Sequence, residues 1–174
     1  MIIASSSKLA IIIRVGIMEY SPTVLVSGCF LILHAGHCEL LEFASKFGNV
    51  TVGINADAYL HKKYGDNIVP LINRVYCLKS NKYVHDVVVF VEDEPSNLIY
   101  KLKPDYYVKG PDYSGKKLPE YQAVQDIGCK LIIHQANKKQ NSSDIIKTLD
   151  KSILSKSIVD LKSPVDALGD FFPV

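Results

Sequence analysis

Arginine is nearly missing from this chain. Of its 20 basic residues only Arg14 and Arg74 are arginines, and 18 acidic residues leave a formal charge of +2. So balanced a charge gives no strong signal of a nucleic-acid surface or a polybasic membrane patch, and neither partner is expected. Scarcity also marks the survivor: a guanidinium fork suits bidentate contact with phosphate, and Arg74 is the one arginine in the body of the chain. Paired cysteines are missing too. Cys29, Cys38, Cys77 and Cys129 are widely spaced with no C-x-x-C pair, which excludes a zinc ribbon or disulfide framework and reads as the reduced thiols of a cytoplasmic protein. No apolar run is long enough to span a bilayer: the N-terminal KLAIIIRVGI is short, interrupted by Arg14, and followed by no convincing small-residue cleavage site. Internal repeats and low-complexity segments are absent, as is any Ser-His-Asp or Cys-His constellation for nucleophilic catalysis.

What is present is 174 residues, 48% hydrophobic and 22% charged, with room for one domain and a substantial core. Residues 1–17 do not match the rest and read as an N-terminal extension, disordered or supplying an extra edge strand. Residues 18–150 read as the domain, and residues 151–174, which lack clear periodicity, as a C-terminal tail that packs across the domain or meets a partner. Within the domain, β-branched runs alternate with helical spacing. Strands are expected at Thr23 to Val26, Val50 to Ile54, Asp86 to Val91, Asp105 to Lys109 and Lys130 to His134. Helices are expected at Cys38 to Phe47, from Asn55 to about Tyr64, and over Leu71 to Val84, Ser96 to Leu102, Lys117 to Ile127 and Ser142 to Leu149. DVVVFV, the most apolar short run, reads as the buried central strand. The alternation indicates an α/β protein with a parallel sheet, whose ligands collect beyond the carboxyl ends of the strands.

The stretch VLVSGCFLILHAGHCELL, Val24 to Leu41, carries most of the chemistry. It reads as strand, loop, helix, an arrangement that aims free N–H groups and the positive end of a helix dipole at one spot and so suits a phosphate. His34 and His37 flank that spot. Imidazoles can donate to phosphate oxygens and carry a proton near neutral pH, so the pair suits charge that develops in phosphoryl transfer, the alternative being ordinary loop histidines.

Gly28-Cys29-Phe30 followed by His34-Ala35-Gly36-His37 resembles the G-x-F-D-x-x-H-x-G-H signature of the cytidylyltransferase-like nucleotidyltransferases. Leu31 stands where that signature has aspartate. The resemblance runs from about Val24 to Lys147 and implies a Rossmann-like three-layer α/β/α fold with a parallel sheet of about five strands. It also implies roles. Gly28, Cys29, Phe30, Gly36 and His37 would form the nucleotide loop, with His34, His37, Lys63 and Arg74 as catalytic residues. Leu31, at the signature's aspartate position, would face the acceptor; VGINADAYLHKKYG is similar to the lysine-containing loop of the sugar-phosphate members, which places Asn55, Asp57 and Lys62 toward the acceptor as well, Lys62 and Lys63 otherwise reading as a solvated helix end. PLINR matches the P-x-x-x-R element and makes Arg74 a nucleotide-phosphate ligand, its alternative being an exposed helix arginine. EDEPSNLIYKLKPDYYVKGPDY is similar to the E-D-T-P, L-x-P-D, V-K-G-x-D-Y run of the enzymes that make ADP-heptose, and less so to the glycerol-phosphate cytidylyltransferases. There Lys109, Gly110 and Asp112 would contact the nucleotide, unless Asp112 caps a turn. Asn141-Ser142-Ser143 resembles the element that opens the last helix, where Ser142 and Ser143 would hold the distal phosphates.

The function implied is nucleotidyl transfer from a nucleoside triphosphate, ATP before CTP, to a small phosphorylated acceptor such as a sugar 1-phosphate. Mg²⁺ would arrive with the nucleotide, with no metal site built by the protein, and pyrophosphate would leave. A homodimer or larger homo-oligomer is expected, as in the family. The alternatives are another acceptor, such as glycerol 3-phosphate, and a nucleotide-binding protein impaired in catalysis by Leu31.

Overall fold

The computed structural model describes residues 20–66 and 68–135. The expectations for residues 1–17, for the helix at Ser142 to Leu149 and for the tail lie outside them. In chain order the elements are β1 (Thr23–Gly28), α1 (Ala35–Ser45), β2 (Asn49–Asn55), α2 (Asp57–Tyr64), α3 (Leu71–Lys79), β3 (Asp86–Phe90), α4 (Ser96–Leu102), β4 (Tyr106–Lys109), a 3₁₀ turn (Pro111–Tyr113), α5 (Tyr121–Asp126) and β5 (Lys130–Ile133).

The strands form one five-stranded sheet in the order β3-β2-β1-β4-β5, with every pairing parallel. β1 is the central strand. Its Val24, Leu25 and Val26 are all fully buried because helices cover both faces. Alternation divides them: Val24 and Val26 pack with Leu41 and Ala44 of α1 and Leu78 of α3, while Leu25 packs with Ile99 of α4 and Val124 of α5. The result is the three-layer α/β/α sandwich expected.

DVVVFV is an edge, not the centre. β3 pairs with β2 alone, and Val89 and Val91 are 43% and 73% exposed. Apolar content reports that a segment prefers a strand, whereas its place in the sheet depends on which partners flank it, and that is a tertiary fact. Two helices are also shorter than their spacing implies: α3 ends at Lys79 and α5 begins only at Tyr121.

Two glycines shape the sheet's surroundings. Gly48 has φ +147, and a Cβ there would sit 2.0 Å from the Pro22 carbonyl oxygen, so it alone permits the tight return into β2. At Gly53 a Cβ would meet Leu98 at 2.6 Å, so the missing side chain lets α4 approach β2.

The chain runs outward from β1 through β2 to β3, then returns to lay β4 on the other side of β1. Strand order therefore reverses between β1 and β4, and the loops leaving their carboxyl ends diverge to open a crevice.

Candidate active site

The loop from Gly28 to His34 enters this crevice. Phe30 takes a left-handed backbone, φ +45, which an L-residue adopts only at a cost of about 1 kcal/mol or more. Burial of its ring, which lies 4.7 Å from the His37 ring, offsets that cost. α1 then begins at Ala35 with no side-chain cap. The His34 carbonyl accepts from the N–H groups of His37 and Cys38, while Ala35 and Gly36 sit in the first turn, where N–H groups point out of the helix.

His34 and His37 stack, ring centroids 3.9 Å apart. His34 Nδ1 is buried with no hydrogen-bond partner, a costly state that a bound anion would relieve. Burial and the neighbouring His34 pull His37 down to about 4, against a hydrogen bond to the Ile32 carbonyl that raises it; burial also lowers His34. That bond settles the tautomer. The His37 Nδ1 lies 3.1 Å from the Ile32 carbonyl oxygen, which only accepts, so Nδ1 carries the proton and a neutral His37 has a bare Nε2.

Arg74, expected to hold phosphate, has other partners in the structure. The residue is 2% exposed, and its guanidinium donates from Nε to Val69 O (2.9 Å), from Nη1 to Cys29 O (2.7 Å), and from Nη2 to Asn55 O (3.0 Å) and Asp57 Oδ1 (2.7 Å). It ties the signature loop to the end of β2, the start of α2 and the approach to α3. Asp57 completes the tie through Oδ2, which accepts from the Leu71 N–H at 3.0 Å. These bonds hold the Asp57 carboxyl below its ordinary range although burial works the other way.

The residues expected to face the acceptor are similarly committed. Asn55 is buried and its amide donates to Glu92 O, while Lys62 pairs with Asp93 at 2.6 Å. Leu31 is buried against a pocket of about 240 Å³ lined by Phe30 to Leu33, Val69, Cys77, Leu78 and Arg74. It fills apolar space and does not project a group into the crevice. Lys63 lies over the rings of Tyr59 and Tyr64 within electrostatic reach of Cys29. Burial raises the Cys29 thiol against Lys63, Arg74 and Lys109, so the thiol stays protonated and fills the turn.

Lys109, expected to touch nucleotide, is also occupied. Its ammonium lies 3.1 Å from Glu120 Oε1, 3.1 Å from the Tyr107 hydroxyl and 3.3 Å from Ser27 Oγ. Burial lowers Lys109, and Glu120 opposes that. Ser27, Tyr107 and Glu120 are site residues that the sequence reading misses. A signal exists for one of them: in YYVKG, positions 107 and 109 share a strand face. Gly110 lies 4.0 Å from Leu40 at its would-be Cβ, and Asp112 sits in the 3₁₀ turn. Ser142 and Ser143 lie outside the described residues. Among the described residues no group of three histidines, cysteines or carboxylates is placed to hold a metal ion, and no helix is long and apolar enough to cross a membrane.

A family model described as cytidylyltransferase-like matches residues 25–149. The bifunctional protein HldE of Streptomyces coelicolor is 38% identical over 118 residues, covering 66% of this chain and 26% of that protein. HldE of Aeromonas hydrophila is 33% identical over 150 residues, covering 84% of this chain and 32% of that protein. The match thus spans only 26% to 32% of these relatives' length. Among solved structures, the lipopolysaccharide core biosynthesis protein of Thermoplasma volcanium aligns with a TM-score of 0.58 at 22% identity, over 68% of this chain and 99% of that one. Pantothenate synthetase of Thermus thermophilus aligns with a TM-score of 0.55 at 15% identity, over 78% of this chain and 64% of that one. Both are likenesses of fold.

Proposed function

The chain belongs to the cytidylyltransferase-like family of nucleotidyltransferases, and from that premise we propose that it moves a nucleoside monophosphate from ATP, or less readily CTP, to a sugar 1-phosphate. A phosphate oxygen of the acceptor attacks the α-phosphorus in line, the bond to the β-phosphate oxygen breaks, and pyrophosphate leaves. The observation that carries this reading is the uncapped start of α1, with the stacked His34 and His37 beside it and His34 Nδ1 buried without a partner. Free N–H groups, a helix dipole and an unpartnered imidazole nitrogen converge there, and an anion satisfies all three.

In this reading the α-phosphate rests against the Ala35 and Gly36 N–H groups. His37, once protonated through Nε2, and His34 stabilise the charge that gathers there as the bond breaks. Lys63 serves the departing phosphates, and Ser142 and Ser143 receive their distal end. Mg²⁺ travels with the triphosphate as part of the substrate. Arg74 and Asp57 act as positioning residues that hold the signature loop. The preference for ATP and a sugar 1-phosphate draws on the resemblance of EDEPSNLIYKLKPDYYVKGPDY to the ADP-heptose enzymes.

The test is pyrophosphate release with Mg²⁺, pairing ATP and CTP with heptose 1-phosphate, other sugar 1-phosphates and glycerol 3-phosphate. Release that requires one acceptor and falls roughly 100-fold or more in His37→Ala is expected. Nucleotide binding without release from any pair would favour the impaired-catalysis alternative that Leu31 raises.

A further inference from the structure

We propose that Tyr113 is the platform on which the nucleobase stacks, its inner face pinned by the Lys109 ammonium; this rests on the nucleotidyltransferase reading above. The ammonium lies 4.1 Å from the Tyr113 ring centroid, well inside the range of a cation–π contact. It has little freedom to move. Glu120, Tyr107 and Ser27 surround it at 3.1 to 3.3 Å, and Lys109 is 4% exposed. Three acceptors for three N–H donors leave none for a phosphate, so the influence of this cation on a ligand passes through the ring above it.

The backbone beneath the ring is equally set. Pro111 opens the 3₁₀ turn, the Tyr113 N–H donates to Gly110 O at 3.2 Å, and the Lys116 N–H returns to Tyr113 O at 3.2 Å. Nevertheless Tyr113 remains 38% exposed. Tyr76 and Tyr121, which are more exposed, stand on helix surfaces, and no cation–π contact of theirs is found among the described residues. Tyr113 instead leaves the end of β4, the strand beside β1 at the reversal point, and lies within electrostatic reach of Lys63 and Cys29 on the signature loop. A ring that meets the Lys109 ammonium on one face and belongs to a residue 38% exposed, beyond the carboxyl end of β4, suits stacking by a planar base. Stacking is sequence-tolerant because every base has a π-face, so the platform distinguishes a nucleotide from a bare polyphosphate and leaves the choice between ATP and CTP to other contacts.

The chain contains no tryptophan, so Tyr113→Trp creates a single reporter at this position. Saturable quenching of its emission by ATP and by CTP is expected, with inorganic tripolyphosphate leaving emission unchanged. Calorimetric titration of ATP gives an independent reading: Tyr113→Phe keeps the affinity, Tyr113→Leu loses roughly 10-fold, and Glu120→Gln loses part of that by releasing Lys109. If ATP raises the melting temperature of the unmodified protein while the emission of Tyr113→Trp and the affinity of Tyr113→Leu stay unchanged, the platform is refuted and the nucleotide reading stands. If neither ATP nor CTP raises the melting temperature or quenches emission, both fall together.

Discussion

An arginine whose guanidinium already meets three carbonyls and a carboxylate has no open fork for a ligand. The Arg74→Lys variant keeps the charge and loses the fork, leaving Cys29 O, Asn55 O and the Asp57 carboxylate short of donors. A loss of roughly 2–4 kcal/mol in unfolding free energy is expected, read from urea denaturation. An unchanged midpoint would instead return Arg74 to a role as phosphate ligand. His37 carries a second residue-scale prediction. Its Nδ1 proton is committed to Ile32, so Nε2 grips phosphate only by taking up a proton, which the triphosphate's charge promotes. ATP titrations near pH 7 in buffers of different ionisation enthalpy should therefore reveal net proton uptake, abolished in His37→Gln. Heats that do not depend on the buffer would rule this out. The two histidines are legible from their spacing and chemistry, as is the singular Arg74. That Arg74 points inward, and that Glu120 meets Lys109 from beyond the 3₁₀ turn, are not, because side-chain partners are chosen by packing.

Among the elements, the return into β2 is the most constrained. Gly48→Ala sets a Cβ onto the Pro22 carbonyl, a backbone atom that cannot rotate away, in a left-handed conformation. A loss of more than about 2 kcal/mol is expected on thermal or urea unfolding, far beyond a helix-propensity effect. The β3 edge offers the opposite case. Val91→Lys falls on a residue 73% exposed and should leave stability within about 0.5 kcal/mol, whereas Val52→Ala, fully buried in β2, should cost roughly 2 kcal/mol. Equal costs would mean that β3 is covered by something outside the described residues. Strand and helix identities are legible in DVVVFV and its counterparts because β-branched composition and period act locally. Sheet order is not, since the same apolar run serves at an edge or a centre.

At the scale of the whole molecule, half-buried neutral histidines make stability depend on pH. His37 titrates near 4 in the folded chain and near 6.5 unfolded, so the unfolded state binds more protons between these values. Its contribution is complete above pH 6.5 and is lost as pH falls toward 4, amounting to at most about 3 kcal/mol. His34 acts in the same direction, and the depressed Asp57 extends the loss to lower pH as its carboxyl protonates. Urea midpoints at about pH 7.5 and about pH 4.5, on either side of this window, should differ markedly for the unmodified protein and less for His37→Gln; equal differences would exclude His37 as the source. The sequence by itself determined the α/β alternation, the strand-loop-helix at the signature and the residue types it carries, because local propensity and a short motif need no distant partner. Tertiary structure alone decided that β1 is central, that order reverses between β1 and β4, and that Arg74 and Lys109 are consumed by internal bonds while Tyr113 stays open. Those outcomes depend on which surfaces meet, and burial compels each polar group to find its partner among whatever the fold brings near.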